Sequence, residues 1–240
     1  DRNNLPKEPL SKFWIIGSIV IGVVASWITM SCLKNQLKTV DKKLQAKIKK
    51  KKNFQYKNNI FIYQGDITKL IVDAIVNVVM KDYWMFLPLH SCVNNIIHSY
   101  AGLEVRRDLL KKIGENYEEE NGKFIVTNAY NLKAKYIFHT IGPQVIKLSE
   151  QDKLDLKNCY LSSLEELQGL VNTIAFPCIS TGLYNFPKDI ASSIAYKTAF
   201  NYLKDHPDLN VIFSTYDMKD YLLYKKEKKS MIINTGQRTD

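Results

Sequence analysis

Five short runs rich in β-branched and aromatic residues, separated by stretches of helical periodicity, constrain this chain more than any other feature. IFIYQ (60–64), DAIVNVV (73–79), KYIFHTI (135–141), NTIAFPCI (172–179) and NVIFST (210–215) read as strands, several of them apolar on both faces. Amphipathic stretches lie between them at about 93–112, 152–169 and 187–204; the second carries Leu154, Leu156, Tyr160, Leu161, Leu164 and Leu167 at near-helical spacing. Such alternation predicts an α/β layered domain with a largely parallel central sheet. Ligands of such sheets sit beyond the carboxyl ends of the strands, where loops enter helices, so those loops are where chemistry is sought.

Ahead of this domain, Phe13 to Leu33 form a run of 21 residues without a charge. As a helix it reaches roughly 30 Å, the thickness of a bilayer's hydrocarbon core, with Trp14 and Trp27 towards its ends. A transmembrane helix over 13–33 is therefore expected, behind a short flank (1–12). Residues 34–59 hold ten lysines against one acid, including the run Lys49–Lys52. The positive-inside bias then predicts a single-pass protein with its C-terminal domain in the cytosol and lysines of 34–52 against anionic headgroups. Leu33, Leu37, Val40, Leu44 and Ile48 form one helical stripe over 33–48, which could pair two chains weakly or simply continue the membrane helix.

The net charge of +10 resides in this N-terminal part, since residues 60–240 hold 21 basic and 21 acidic side chains. No specific nucleic-acid partner is expected of a neutral body. Cys32, Cys92, Cys159 and Cys178 include no C-x-x-C pair and no His at metal spacing, which argues against a structural zinc site or a disulfide scaffold. His139, beside Thr140, reads as a hydrogen-bonded core residue and Cys178 as a core filler. The acidic run Glu118–Glu120 reads as solvated loop, and 225–240 as a flexible tail.

Two loops stand out. Gly65-Asp66-Ile67-Thr68 follows the first strand, and Ser180-Thr181-Gly182-Leu183-Tyr184-Asn185-Phe186-Pro187 follows the fourth. The second has the build of an anion cradle: small residues, a glycine for close approach, then a helix N-terminus. With GDITKLIVDAIVN, NLKAKYIFHTIGP, LKNCYLSSLEEL and AFPCISTGLYNFP in this order, the chain from about Ile60 to Tyr224 resembles the macro domain family, in its MacroD-type branch. The resemblance implies a three-layer α/β/α macro domain over 60–224 that takes ADP-ribose, free or protein-linked, as its partner and needs no metal or organic cofactor. It implies that Asp66 accepts from the adenine amino group and Ile67 lines the adenine pocket. Ser180, Thr181, Gly182, Leu183 and Tyr184 would grip the diphosphate through backbone N–H groups, with the Tyr184 ring against the distal ribose. Asn77 falls on the first Asn of the family's N-A-A-N motif and His98 on the His ending V-D-x-x-I-H, both at the reaction centre.

The chain departs from the family at three places. The second Asn of the motif is Met80, the glycine-rich loop is replaced by the glycine-free KDYWMFLPLHSC (81–92), and the Asp of V-D is Asn94. An amide cannot take a proton at neutral pH, and Pro, Phe and Leu do not adopt the backbone angles that glycine supplies. The expectation is a membrane-anchored ADP-ribose-binding protein, related to MacroD-type mono-ADP-ribosyl hydrolases and O-acetyl-ADP-ribose deacetylases, with impaired catalysis. Two alternatives stay open: an active hydrolase of ADP-ribosyl glutamate or aspartate using His98 and Asn77, and a degenerate interaction module without ligand.

Overall fold

The computed structural model describes residues 59–79, 92–113, 124–166 and 169–234, all within the compact unit Asn58–Asp240. The expected membrane helix (13–33), the lysine-rich segment to residue 58, the 33–48 stripe, Met80, residues 81–91 and Glu118–Glu120 lie outside the described residues. Among the described residues no helix is long and apolar enough to cross a membrane.

Six strands form one sheet: β1 (Ile60–Gln64), β2 (Ala74–Val79), β3 (Phe124–Asn128), β4 (Tyr136–Ile141), β5 (Thr173–Phe176) and β6 (Asn210–Thr215), in the order β1-β6-β5-β2-β4-β3. All neighbours are parallel except β3 and β4, so the sheet is mixed and mostly parallel, as expected. The helices are α1 (Val93–Ala101), α2 (Leu103–Ile113), α3 (Glu150–Glu166), α4 (Lys188–Asp205) and α5 (Met218–Asn234).

The period-two alternation of the strands sorts side chains to two faces. Val76, Phe138, Phe176, Val211 and Phe213 pack with Leu156, Tyr160, Ala195, Tyr196 and Tyr224 of α3, α4 and α5. Ile75, Ile137, Ala175 and Ile212 pack on the opposite face with Ile97, Ala101 and Val105 of α1 and α2. The result is a three-layer α/β/α domain. Aromatic rings dominate the first face, with Phe213 4.7 Å from Tyr224 and Tyr160 5.2 Å from Phe176 between centroids. Truncating such a ring costs about 3–5 kcal/mol, so this face carries much of the core's energy.

Local chemistry sets the element ends. The start of α3 is a reciprocal cap: Ser149 N–H donates to Asp152 Oδ2 at 2.8 Å, and Asp152 N–H donates to Ser149 Oγ at 3.2 Å. Pro177 follows the last residue of β5, and lacking an N–H it does not extend a strand paired on both sides, so β5 is shorter than the run 172–179. Where one helix was expected over about 93–112, Gly102 (φ 95°) divides α1 from α2, and a Cβ there would meet Asn131 Nδ2 at 2.7 Å. The expected tail needs correction, because α5 continues to Asn234. Its face towards the sheet carries Tyr224 and Met231, and Lys228 Nζ donates to Ile60 O at 2.8 Å.

At the amino ends of the strands, Asp73 ties three of them together. Its Oδ2 accepts from Asn172 N–H (3.0 Å), Thr173 N–H (3.1 Å) and Thr173 Oγ1 (2.9 Å), while Lys135 Nζ lies 2.8 Å from Oδ1. Burial pushes this carboxyl up, but the Lys135 hydrogen bond and charge and the donors at Asn172 and Thr173 outweigh it, and it ionises below its ordinary value. With β2, β4 and β5 fixed at that end, their carboxyl ends are held in register at the other.

Candidate functional site

At the carboxyl end of β1, Asp66 caps the single 3₁₀ turn Ile67–Lys69. Its Oδ1 accepts from Thr68 N–H at 2.9 Å and from Thr68 Oγ1 at 2.7 Å, and Lys69 Nζ lies 3.9 Å from Oδ2. The carboxylate is half-buried, with one oxygen committed to the turn and the other at its rim. The side chain of Ile67, the expected lining of the adenine pocket, is buried in the core with Val72, Ile75, Ile97 and Ile212. What the residue presents is its backbone N–H, which donates to no atom among the described residues.

The neighbouring strand end brings an aromatic side chain that no motif had indicated. Gly65 N–H donates to Thr215 O at 2.9 Å and Ser214 Oγ to Gly65 O at 3.1 Å, which locks the β1 and β6 ends together. Tyr216, the next residue after the strand end that Gly65 pairs with, is 81% exposed.

After β5 the loop is bracketed by two non-glycine residues in the left-handed region, Ser180 (φ 62°) and Asn185 (φ 53°). Strain of about 1–3 kcal/mol at each is retained only where surrounding bonds impose it. Here Phe186 N–H donates to Ser180 O at 3.0 Å, Asn185 N–H to Gly182 O at 3.1 Å, Val145 N–H to Tyr184 O at 2.9 Å and Ile179 N–H to Tyr160 Oη at 3.2 Å. The Gly182 and Leu183 N–H groups donate to no atom among the described residues. Ser180 Oγ is buried without a partner among the described residues, close against Gly142, where any Cβ would collide with it. A Cβ built on Gly182 meets nothing within 4 Å, so the fold does not need a glycine there and the space above it is open.

Beneath α1 lies a third group. Asn77 and His139 are register partners on β2 and β4, and both are fully buried. Asn77 Nδ2 donates to Asn94 Oδ1 at 2.9 Å and lies 3.2 Å from His139 Nδ1; His139 Nε2 lies 2.9 Å from Thr127 Oγ1 of β3. Asn94 and His98 are four apart on α1 and therefore share a helix face. The His98 ring lies 5.7 Å from that of His139. Burial, with the Arg106 charge, lowers His98 to about 4, and burial, with His98 and Lys112, takes His139 well below the ordinary imidazole value. Both rings are neutral at physiological pH. His139 is thus the hydrogen-bonded core residue expected of it, though bonded to site residues.

Cys178 packs against the hydrophobic core, as the filler expected of it; burial, with the Asp220 charge, pushes its thiol up, away from the thiolate a nucleophile needs. Cys92, Cys159 and Cys178 are free thiols. Among the described residues no three His, Cys, Asp or Glu side chains gather as a metal site requires.

These groups lie at the carboxyl ends of the strands, where α/β sheets take their ligands. The model of the macro domain matches residues 76–195. A protein-ADP-ribose hydrolase of Staphylococcus aureus (strain COL) is 44% identical over 175 residues, 70% of this chain; the chain spans 66% of that relative's length. The macrodomain of Oceanobacillus iheyensis with ADP superposes with a TM-score of 0.68 at 29% identity, over 75% of this chain and 96% of that one. The macrodomain of Trypanosoma brucei in complex with ADP-ribose does so with a TM-score of 0.59 at 30% identity, over 70% and 68%. This chain belongs to the macro domain family.

Proposed function

We propose that the domain binds ADP-ribose, free or attached to protein, and turns it over poorly or not at all. One observation carries the reading: the backbone N–H groups of Gly182 and Leu183 have no partner among the described residues, and the space beside Gly182 is open. A diphosphate satisfies such a cradle, because its oxygens accept from several N–H donors at once. Asp66 Oδ2 and the Ile67 N–H offer an acceptor and a donor side by side, the pattern an adenine edge requires, and Tyr216 supplies an aromatic face for the base. Asn77 is the surviving contact to the distal ribose. The protein-ADP-ribose hydrolase of Staphylococcus aureus and the macrodomains with ADP and ADP-ribose support this choice of nucleotide. The test is calorimetric titration of ADP-ribose into the chain and into Gly182→Val. The native chain is expected to bind, and the valine variant to lose at least about tenfold in affinity at unchanged thermal stability, since the added methyls enter only the ligand's space. Absence of binding to the native chain, or equal binding by both, sinks the reading.

We also propose that residues 13–33 anchor the protein, with lysines of 34–52 on anionic lipid and the macro domain facing the cytosol. The uncharged 21-residue run and the ten lysines behind it support this. On sealed microsomes, protease is expected to digest the macro domain without detergent; its survival until detergent is added would reverse the orientation.

A further inference from the structure

The buried amide and imidazole pair supports an inference that rests on the reading of Asn77 as the distal-ribose contact. Both N–H bonds of the Asn77 carboxamide are committed, one to Asn94 Oδ1 at 2.9 Å and one to His139 Nδ1 at 3.2 Å. Its Oδ1 is buried with no partner among the described residues. His139 accepts at Nδ1 only in the tautomer that carries its proton on Nε2, and Thr127 Oγ1 at 2.9 Å receives that proton. With the proton on Nδ1 instead, His139 would donate to a turned Asn77 Oδ1 and Thr127 Oγ1 would donate to Nε2, so the His139 tautomer decides which end of the Asn77 amide is left unsatisfied. With its proton on Nε2, His139 holds the amide in the orientation that satisfies both Asn77 N–H groups and leaves Oδ1 as the unsatisfied acceptor.

We propose that His139, held by Thr127, is a positioning residue that fixes the Asn77 carboxamide so that Oδ1 is the acceptor presented to a hydroxyl of the distal ribose. ADP lacks that ribose, so the proposal predicts an effect on one ligand and not on the other. A general loosening of the core would weaken both.

The experiment titrates ADP and ADP-ribose into the native chain, His139→Leu, His139→Asn and Asn77→Ala, with thermal unfolding of each as a check on folding. ADP-ribose is expected to bind the native chain about tenfold more tightly than ADP, one hydrogen bond's worth. His139→Leu should lose that preference with ADP affinity unchanged, and should add nothing when combined with Asn77→Ala. His139→Asn keeps an oxygen near the place of Nδ1 and should retain most of the preference. If His139→Leu does not fold, His139→Gln, whose amide sits one bond further along, takes its place with the same expectation. Equal weakening of both ligands, no change in either, or loss of the preference in folded His139→Asn overturns the proposal. Equal native affinity for ADP and ADP-ribose overturns it while leaving the adenine and diphosphate reading standing, and no binding of either nucleotide removes both.

Discussion

Purified protein should release ADP-ribose from a mono-ADP-ribosylated substrate at least about a hundredfold more slowly than the Staphylococcus aureus relative under the same conditions. The resemblance puts a carboxylate where this chain has Asn94, and a positioned general base contributes typically 10²- to 10⁴-fold. The structure shows what the amide does instead: Asn94 Oδ1 accepts the Asn77 N–H, a fixed bond within a neutral group. His98 does not replace the base effectively. A lowered pKa of about 4 leaves it neutral at working pH, but so weak a base has little tendency to take a proton from water. Residual activity should accordingly show no inflection from His98 between about pH 5 and 8, because its titration is complete below that window. Asn94→Asp keeps an oxygen for Asn77 and adds the missing charge. It should still restore less than about tenfold, since 81–92 lacks the glycines that seat the distal ribose and misplacement alone costs about 10²-fold. Rates matching the relative's would mean that another group supplies the base.

How far the sequence foretold this domain follows from what each element exposes. Strands β1 and β6 are bounded as the β-branched runs indicate, because every residue in them has sheet neighbours to pack against. Strand β3 was missed. At the sheet's edge it alternates partly and fully buried residues over only five positions, a short signal on either side of which the pattern breaks. Helix α5 was missed because Lys225, Lys226, Glu227, Lys228 and Lys229 dominate its sequence, while the positions that hold it to the sheet, Tyr224 and Met231, lie seven apart. At the site, the Asp66 turn and the 180–187 loop were legible because each is local: cap, glycine and helix start are adjacent in sequence. The Thr127–His139–Asn77 chain was not, since it joins residues 12 and 62 positions apart and leaves no spacing to read. Ile67 shows the limit of a local reading. An isoleucine beside four core aliphatics gains from burial, so its side chain joins the core, which a reading of the loop by itself does not show.

Asp66 is where two substitutions should separate ligand affinity from local stability. Its two oxygens have separate tasks: Oδ1 caps the Ile67–Lys69 turn through Thr68, and Oδ2 is the acceptor left for the adenine amino group. Asp66→Ala removes both. It should weaken ADP and ADP-ribose alike by about ten- to a hundredfold, a charge-assisted bond of roughly 1.5–3 kcal/mol, and lower stability by about 1 kcal/mol through the lost cap. Asp66→Asn separates the tasks. Its carbonyl can keep the Thr68 N–H, so stability should hold, while the NH₂ group then stands where Oδ2 met the base. A donor opposite the adenine amino group repels it. The asparagine variant should therefore lose at least about tenfold for ADP and ADP-ribose while its thermal stability stays native, which separates the base contact from the cap. Inosine diphosphate should not be rescued by it, because hypoxanthine N1–H would face the Ile67 N–H. Unchanged ADP affinity in both variants would put the base elsewhere.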